Sequence, residues 1–370
     1  MKIVVALDKF KGSLTAAEAC AVVQRALLAA HPGAHIILKP MADGGDGTAD
    51  ALHAALGGEW IEREVSGPLP DMRVTAKYLW LREEKRAFIE MAQASGLVLL
   101  PPELRNPLFT STRGTGELLA DALARGAQHI WLTVGGSATV DGGIGAASAL
   151  GWQFLGASGG TLAPCGEALS RIRKIVAPAR AWPQIEVLCD VDNPLCGEHG
   201  AARVFGPQKG ATPAMVKQLD AGLRNLAAIV RAQLGKEVQE IPGAGAAGGL
   251  AAGAIAFMNA KLVPGINTVM SASKLEDDLR GADWVITGEG AFDEQSLRGK
   301  VVAGVAALAK QHNVKIAVLA GRVLLTEAQW RAAGVDLAAA IAPPAMTTPD
   351  AMRQAAALLA ATAQQLPLTD

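Results

Sequence analysis

The sequence predicts an α/β protein of two domains, one inserted into the other, and three observations lead to that fold class. Short β-branched runs alternate with alanine-rich stretches of helical spacing at both ends of the chain, the rhythm of βαβ units. Glycine-rich polar loops follow these runs, as they do at the carboxyl edge of a parallel sheet. The chain has 370 residues, 50% of them hydrophobic, more than one small core requires. The expected organisation is a discontinuous domain at 1–65 plus 280–370, with a second α/β domain at 66–279 inserted between.

The first element is the run IVVAL at 3–7, read as a buried strand and followed by the loop DKFKGSL. Thr15 and Glu18 then form a T-x-x-E capping box, which starts a helix through TAAEACAVVQRALLAA. HIILKPM at 35–41 reads as a second strand leading into the loop ADGGDGT at 42–48. In the middle of the chain VTAKYLWL and RAFIEMA alternate with the period of a hairpin. IWLTVGG at 130–136 and IEVLCDV at 185–191 read as further strands. The C-terminal third returns to the opening rhythm: strands at 284–290, 315–321 and 338–343 are separated by helices, with a last helix within 349–365.

Composition removes several functional classes. A net charge of −1 and 4% aromatic residues argue against a nucleic-acid partner. No stretch approaches the ~20 apolar residues of a membrane span. MKIVVALDKF becomes charged by Asp8, too soon for a signal peptide, so a cytoplasmic location is expected. Cys20, Cys165, Cys189 and Cys196 form no CxxC pair, which disfavours a zinc site or a disulfide framework. A formal G-x-G-x-x-G occurs at Gly243, Gly245 and Gly248, but the acidic residue expected ~20 positions later at a strand end is missing.

Charged residues instead gather where the strands end. Asp8, Lys9 and Lys11 follow the first strand, and Asp43 and Asp46 the second. Asp141 lies in the loop GGSATVDGGIG, and Asp190 and Asp192 close the strand ending in CDVDNP. Glu289, Asp293 and Lys300 follow the strand at 284–290. Carboxylates for a cation, lysines for phosphate oxygens and glycine-rich amides around the phosphates are the parts of a phosphoryl-transfer site. Each loop also has a local reading. Asp192 suits an Asx turn before Asn-Pro, and Ser137 or Thr139 suits a helix cap.

Read in order, these loops resemble the type 1 bacterial glycerate kinase family over nearly the whole chain. The resemblance rests on DKFKGSL (8–14), ADGGDGT (42–48), SGPLPDM (66–72) and NPLFTSTRGTGELLADAL (106–123). It continues through GGSATVDGGIGAASALG (135–151), CDVDNPLCGEHGAARVFGPQKGA (189–211) and ITGEGAFDEQSLRGK (286–300). Leu7, Lys9 and Val140 depart from the usual family pattern. The resemblance implies an ATP- and Mg²⁺-dependent kinase of D-glycerate, with one Rossmann-like and one flavodoxin-like domain and the site in the cleft between them. It implies 2-phosphoglycerate as product, with phosphorylation of the 3-hydroxyl as the alternative. A nicotinamide-dependent dehydrogenase and a non-catalytic sugar-acid binding protein stay open as readings from other classes.

With this chemistry in view, Asp190, Lys11 and Asp43 are the expected catalytic residues. Asp192, Glu289 and Asp293 are expected to bind the metal. Substrate and nucleotide contacts are expected from Asp8, Ser13, Gly44, Gly45 and Asp46 in the N-terminal loops. In the middle of the chain they are expected from Gly135, Gly136, Ser137, Asp141, Asn193 and Lys209, and near the C-terminus from Gly288, Gly290 and Lys300.

Overall fold

The computed structural model describes residues 1–45, 47–297 and 300–369, so the candidate Asp46 lies outside the described residues. The strands in chain order are β1 (Lys2–Leu7), β2 (His35–Leu38), β3 (Glu59–Ser66), β4 (Arg73–Leu81), β5 (Arg86–Glu90), β6 (His129–Thr133) and β7 (Gln153–Leu155). They continue with β8 (Lys174–Val176), β9 (Gln184–Leu188), β10 (Lys261–Val263), β11 (Trp284–Phe292), β12 (Lys315–Val323) and β13 (Leu337–Ala340). Two compact units result. The first comprises 1–43, 50–57 and 264–370, and the second 44–49 and 58–263.

The first unit is built on a wholly parallel sheet in the order β13-β12-β11-β1-β2. Ile3, Val4, Val5, Ala6 and Leu7 are all 0% exposed, as a strand covered on both faces requires. On one face Ile3, Val5 and Leu7 join Ile286 and Leu319 in a core shared with the helices Ala16–Ala30 and Ala355–Gln364. Helix Val301–Gln311 buries Val302 and Val305 and packs on β11 and β12. The capping box is present: Thr15 N–H donates to Glu18 Oε2 at 2.9 Å, and Glu18 N–H to Thr15 Oγ1 at 3.2 Å. Counted within this unit, the strand order is 2-1-3-4-5, the flavodoxin-like order. It reverses between β1 and β11, and ligands of such sheets bind at the carboxyl edge of that switch point.

The second unit carries a six-stranded sheet in the order β10-β9-β6-β5-β4-β3 and a small antiparallel β7–β8 pair. β3, β4 and β5 pair antiparallel, as the hairpin period predicts, while β5, β6, β9 and β10 run parallel. The strands advance steadily across this sheet, without the central reversal of a dinucleotide-binding fold. Because β3 pairs with β4, residues 59–65 go with this sheet and not with the N-terminal stretch. Residues 265–279, in turn, fold with the first unit: a Cβ on Gly304 would stand 2.8 Å from the Ile266 side chain.

The glycines at 243–248 have a packing role. No strand precedes them, since 237–241 is irregular, and Ala247, Gly248 and Gly249 take left-handed φ values of 52°, 67° and 88°. A Cβ on Gly248 would meet the Thr139 carbonyl oxygen at 2.0 Å. Glycine there lets two chain segments touch. Among the described residues no helix is long and apolar enough to cross a membrane.

Candidate active site

In the first unit a cavity of about 850 Å³ opens at the carboxyl edge of the parallel sheet, around the β1/β11 switch point. Asp8 directly follows β1, and its backbone N–H donates to the Gly288 carbonyl at 2.9 Å, which fixes it beside β11. Next in the chain, Phe10 and Leu14 exchange backbone hydrogen bonds and Ser13 Oγ donates to the Phe10 carbonyl at 2.9 Å. This closed turn carries Lys9 and the exposed Lys11 on the cavity wall. Asp43, half-buried after β2, lines the same cavity with Glu289, Gly290 and Asp293. Lys300 lines it too, as the residue before helix Val301–Gln311, whose N-terminus is a favourable place for phosphate.

The electrostatics of this edge are unusual. Asp8 is 7% exposed, and burial pushes its carboxyl up to about 7. The Lys9 charge and backbone N–H pull it down, while the Asp43 and Glu289 carboxylates push it further up. Burial likewise raises the Glu289 carboxyl, whose Oε1 is buried without a hydrogen-bond partner. A buried carboxyl near neutrality and a second one raised by burial, on a cavity lined by lysines, are the kind of groups that hold cations and move protons. Asp293 Oδ1 accepts the backbone N–H groups of Gln295 at 2.8 Å and Ser296 at 3.2 Å, so one of its oxygens fixes the turn it sits on.

Oxygen donors alone suit a hard cation such as Mg²⁺. Among the described residues no three His, Cys, Asp or Glu side chains form a ready-made metal cage.

The glycines of this edge divide by task. A Cβ on Gly288 would stand 1.8 Å from the Leu319 carbonyl oxygen, whereas one on Gly290 would meet only the Lys11 backbone N at 3.6 Å. Gly288, expected to contact ligand, is therefore required by strand packing. Gly288→Ala is expected to lower the melting temperature sharply, by a clash worth roughly 3 kcal/mol or more. Gly290→Ala is expected to melt as the wild type does. Equal melting of the two variants would contradict this assignment.

The second unit gathers the remaining candidates and gives several of them structural tasks. Asp141, expected to bind substrate, is 0% exposed. Its carboxylate accepts the Thr112 N–H and Oγ1–H, both at 2.8 Å, and the N–H groups of Gly143 and Gly145 at 3.0 and 3.2 Å. It anchors the entry to helix Ile144–Ala149; neither Ser137 nor Thr139 does, and the N-cap residue is Gly143. Val140, which departs from the usual family pattern, is 0% exposed in the core. Lys209 is 2% exposed, and its Nζ donates to Ser137 Oγ and the Thr139 carbonyl, each at 2.7 Å. It braces the loop from behind.

Gly135 and Gly136 follow β6, and the Gly136 carbonyl accepts the Leu97 N–H at 2.8 Å. Asn193 donates its side-chain amide to the His199 carbonyl at 2.8 Å, a turn-fixing bond. Asp190 and Asp192 are both exposed, beyond the last residue of β9, so Asp190 lacks the buried setting expected of a proton acceptor. Gly44 and Gly45 lie in the short 44–49 segment, where the Gly45 carbonyl accepts the Thr48 hydroxyl at 2.6 Å. What sequence reasoning missed is that Asp8 is the buried, perturbed carboxyl and that Arg322, Thr348 and Met352 also line its cavity. The position of Asp8 at a strand end was the available signal; its burial had none.

The model of the glycerate kinase family matches residues 3–369. The chain is similar to the glycerate kinase of Halalkalibacterium halodurans, at 46% identity over 98% of this chain and 97% of that one. It is similar to the glycerate 2-kinase of Escherichia coli K12, at 44% identity over 87% of this chain and 85% of the relative. The crystal structure of a candidate glycerate kinase 2 from Salmonella typhimurium LT2 superposes with a TM-score of 0.87 at 42% identity, covering 98% of this chain and 96% of that one.

Proposed function

We propose that this chain, which belongs to the glycerate kinase family, transfers the γ-phosphoryl group of ATP to the 2-hydroxyl of D-glycerate, giving 2-phosphoglycerate. The observation that carries the proposal is one cavity holding a buried carboxyl shifted to about 7 together with three lysines and further carboxylates. The choice of hydroxyl is supported by the Escherichia coli relative, whose name specifies a 2-kinase. ATP as donor suits a cytoplasmic enzyme.

Phosphoryl transfer proceeds through a loose, in-line transition state with charge spread over the phosphoryl oxygens, so positioning and charge neutralisation do most of the catalysis. Lys11 and Lys300 are assigned to the phosphate oxygens and the glycerate carboxylate. Asp8 accepts the proton leaving the 2-hydroxyl as its oxygen bonds to the γ-phosphorus and the bond from that phosphorus to the departing ADP oxygen breaks, a role the exposed Asp190 is less suited to. Asp43 orients the hydroxyls of glycerate. Glu289 and Asp293 would hold Mg²⁺, which when bound neutralises charge on the phosphates.

A coupled assay tests both levels of the proposal. With MgATP, D-glycerate and enolase, phosphoenolpyruvate is expected without added phosphoglycerate mutase. Formation only with mutase would move the phosphate to the 3-hydroxyl. Unconsumed ATP would reject the kinase reading.

A further inference from the structure

We infer that the cavity of the first unit contains a nucleobase subsite at its β12–β13 end, where Ile341, Ala342, Ala351, Met352 and Ala355 receive the adenine of ATP. The inference rests on the kinase reading for the identity of its ligand. Three features of the cavity support it. The first is size. A three-carbon acid fills only a small part of about 850 Å³, a volume typical of sites for much larger ligands.

The second is segregation of polarity along the sheet. The acidic residues and lysines of the wall all belong to the β2, β1 and β11 side, from Asp43 and Asp8 to Glu289 and Lys300. Past β12 the wall turns to small and apolar side chains from the end of β13 and the helices at Thr348–Arg353 and Ala355–Gln364. In the sheet β13 stands three strands from β1, roughly 14 Å at ~4.8 Å per strand. That separation is comparable to the length of an extended nucleoside triphosphate. With phosphates beside Lys300, after β11, the base reaches the apolar end, where the Met352 methyl also packs against Gly12 of the β1 loop.

The third feature is a held guanidinium. Arg322, on β12 at the cavity wall, donates through Nη2 to the Met346 carbonyl at 3.2 Å and to Thr348 Oγ1 at 3.4 Å. These bonds tie the apolar wall to the sheet and fix a planar cation that can stack on a purine. Met352 lines this end of the cavity at 38% exposure, and its thioether suits the edge of an aromatic ring.

The test is binding of mant-ADP, followed by fluorescence, with adenosine and inorganic tripolyphosphate as competitors. The wild type is expected to lose mant-ADP to either competitor. In Ala351→Trp, which fills the subsite, mant-ADP affinity is expected to fall at least about tenfold and adenosine competition to vanish, with tripolyphosphate competition kept within about twofold. Met352→Glu, at an exposed position that threatens folding less, is expected to shift affinity the same way. In turnover the KM for ATP should rise with the KM for D-glycerate unchanged. Unaltered nucleotide affinity in both variants, or loss of D-glycerate affinity instead, would overturn the subsite. Binding is read without turnover, so a wild type that binds mant-ADP as described but ignores glycerate would leave the subsite standing and reject the substrate assignment.

Discussion

Replacing Asp8 with Asn is expected to lower kcat/KM by roughly a hundredfold to ten-thousandfold, the usual contribution of a positioned proton acceptor. The expectation follows from where Asp8 sits: it is buried at the carboxyl end of β1, at the switch point of the sheet. Desolvation there holds the carboxyl near 7, with Lys9, Asp43 and Glu289 adjusting it. Below that pH the group carries its proton and cannot take another, so kcat/KM of the wild type should rise with pH through about 7.

The same substitution should act in the opposite direction on stability. An acid whose folded pKa lies above its unfolded value holds its proton more tightly in the fold, so folding stability falls as pH rises from 3.8 to about 7. Above 7 the full cost of a buried carboxylate is present, and Asp8→Asn removes it. The variant should then melt several degrees higher than the wild type at pH 8 while losing activity. A site residue that trades stability for function behaves in this way. A variant that is inactive because it is less stable would refute the assignment, as would a flat pH profile of kcat/KM between 6 and 8.

The second large effect belongs to Lys209. Burial lowers its ammonium from 10.5 to about 7, against the opposing pull of Asp141, and among the described residues its Nζ bonds the neutral partners Ser137 and Thr139. Between pH 7 and 10.5 the unfolded chain binds the proton that the fold releases, so stability rises with pH across that window. At roughly 1.4 kcal/mol per unit, the swing is on the order of 5 kcal/mol. Below pH 7 the burial cost is fully present. Lys209→Met removes the titrating group, so the urea midpoint of wild type relative to variant should climb between pH 7 and 9.5. Parallel profiles would mean that Lys209 keeps its charge in the fold. The substitution also leaves Ser137 and Thr139 without their donor, an offset of about 1–3 kcal/mol that does not vary with pH.

Much of this protein is legible in neighbouring residues. IVVAL, WVITGEG and KIAVLAG announce buried parallel strands because side chains of both parities are apolar. Thr15 and Glu18 announce a helix start because both partners of the cap lie within one turn. The charged loops identify the chemistry and the family, since each block is contiguous and their order is preserved.

What only the tertiary structure decided is the environment of each charge. Asp8 and Asp190 look alike as strand-end aspartates, yet one is 7% exposed and the other stands at the surface. Asp141 looks like a ligand residue in GGSATVDGGIG, but Thr112, from a distant loop, converges on it and seals it. Gly288 and Gly290 read identically in TGEG, and the backbone of Leu319 alone tells them apart. The physical reason is common to all of these. Local propensity and capping act between residues adjacent in the chain. Desolvation, close approach and pKa depend instead on which remote segments the fold packs against a group, and no local pattern encodes that.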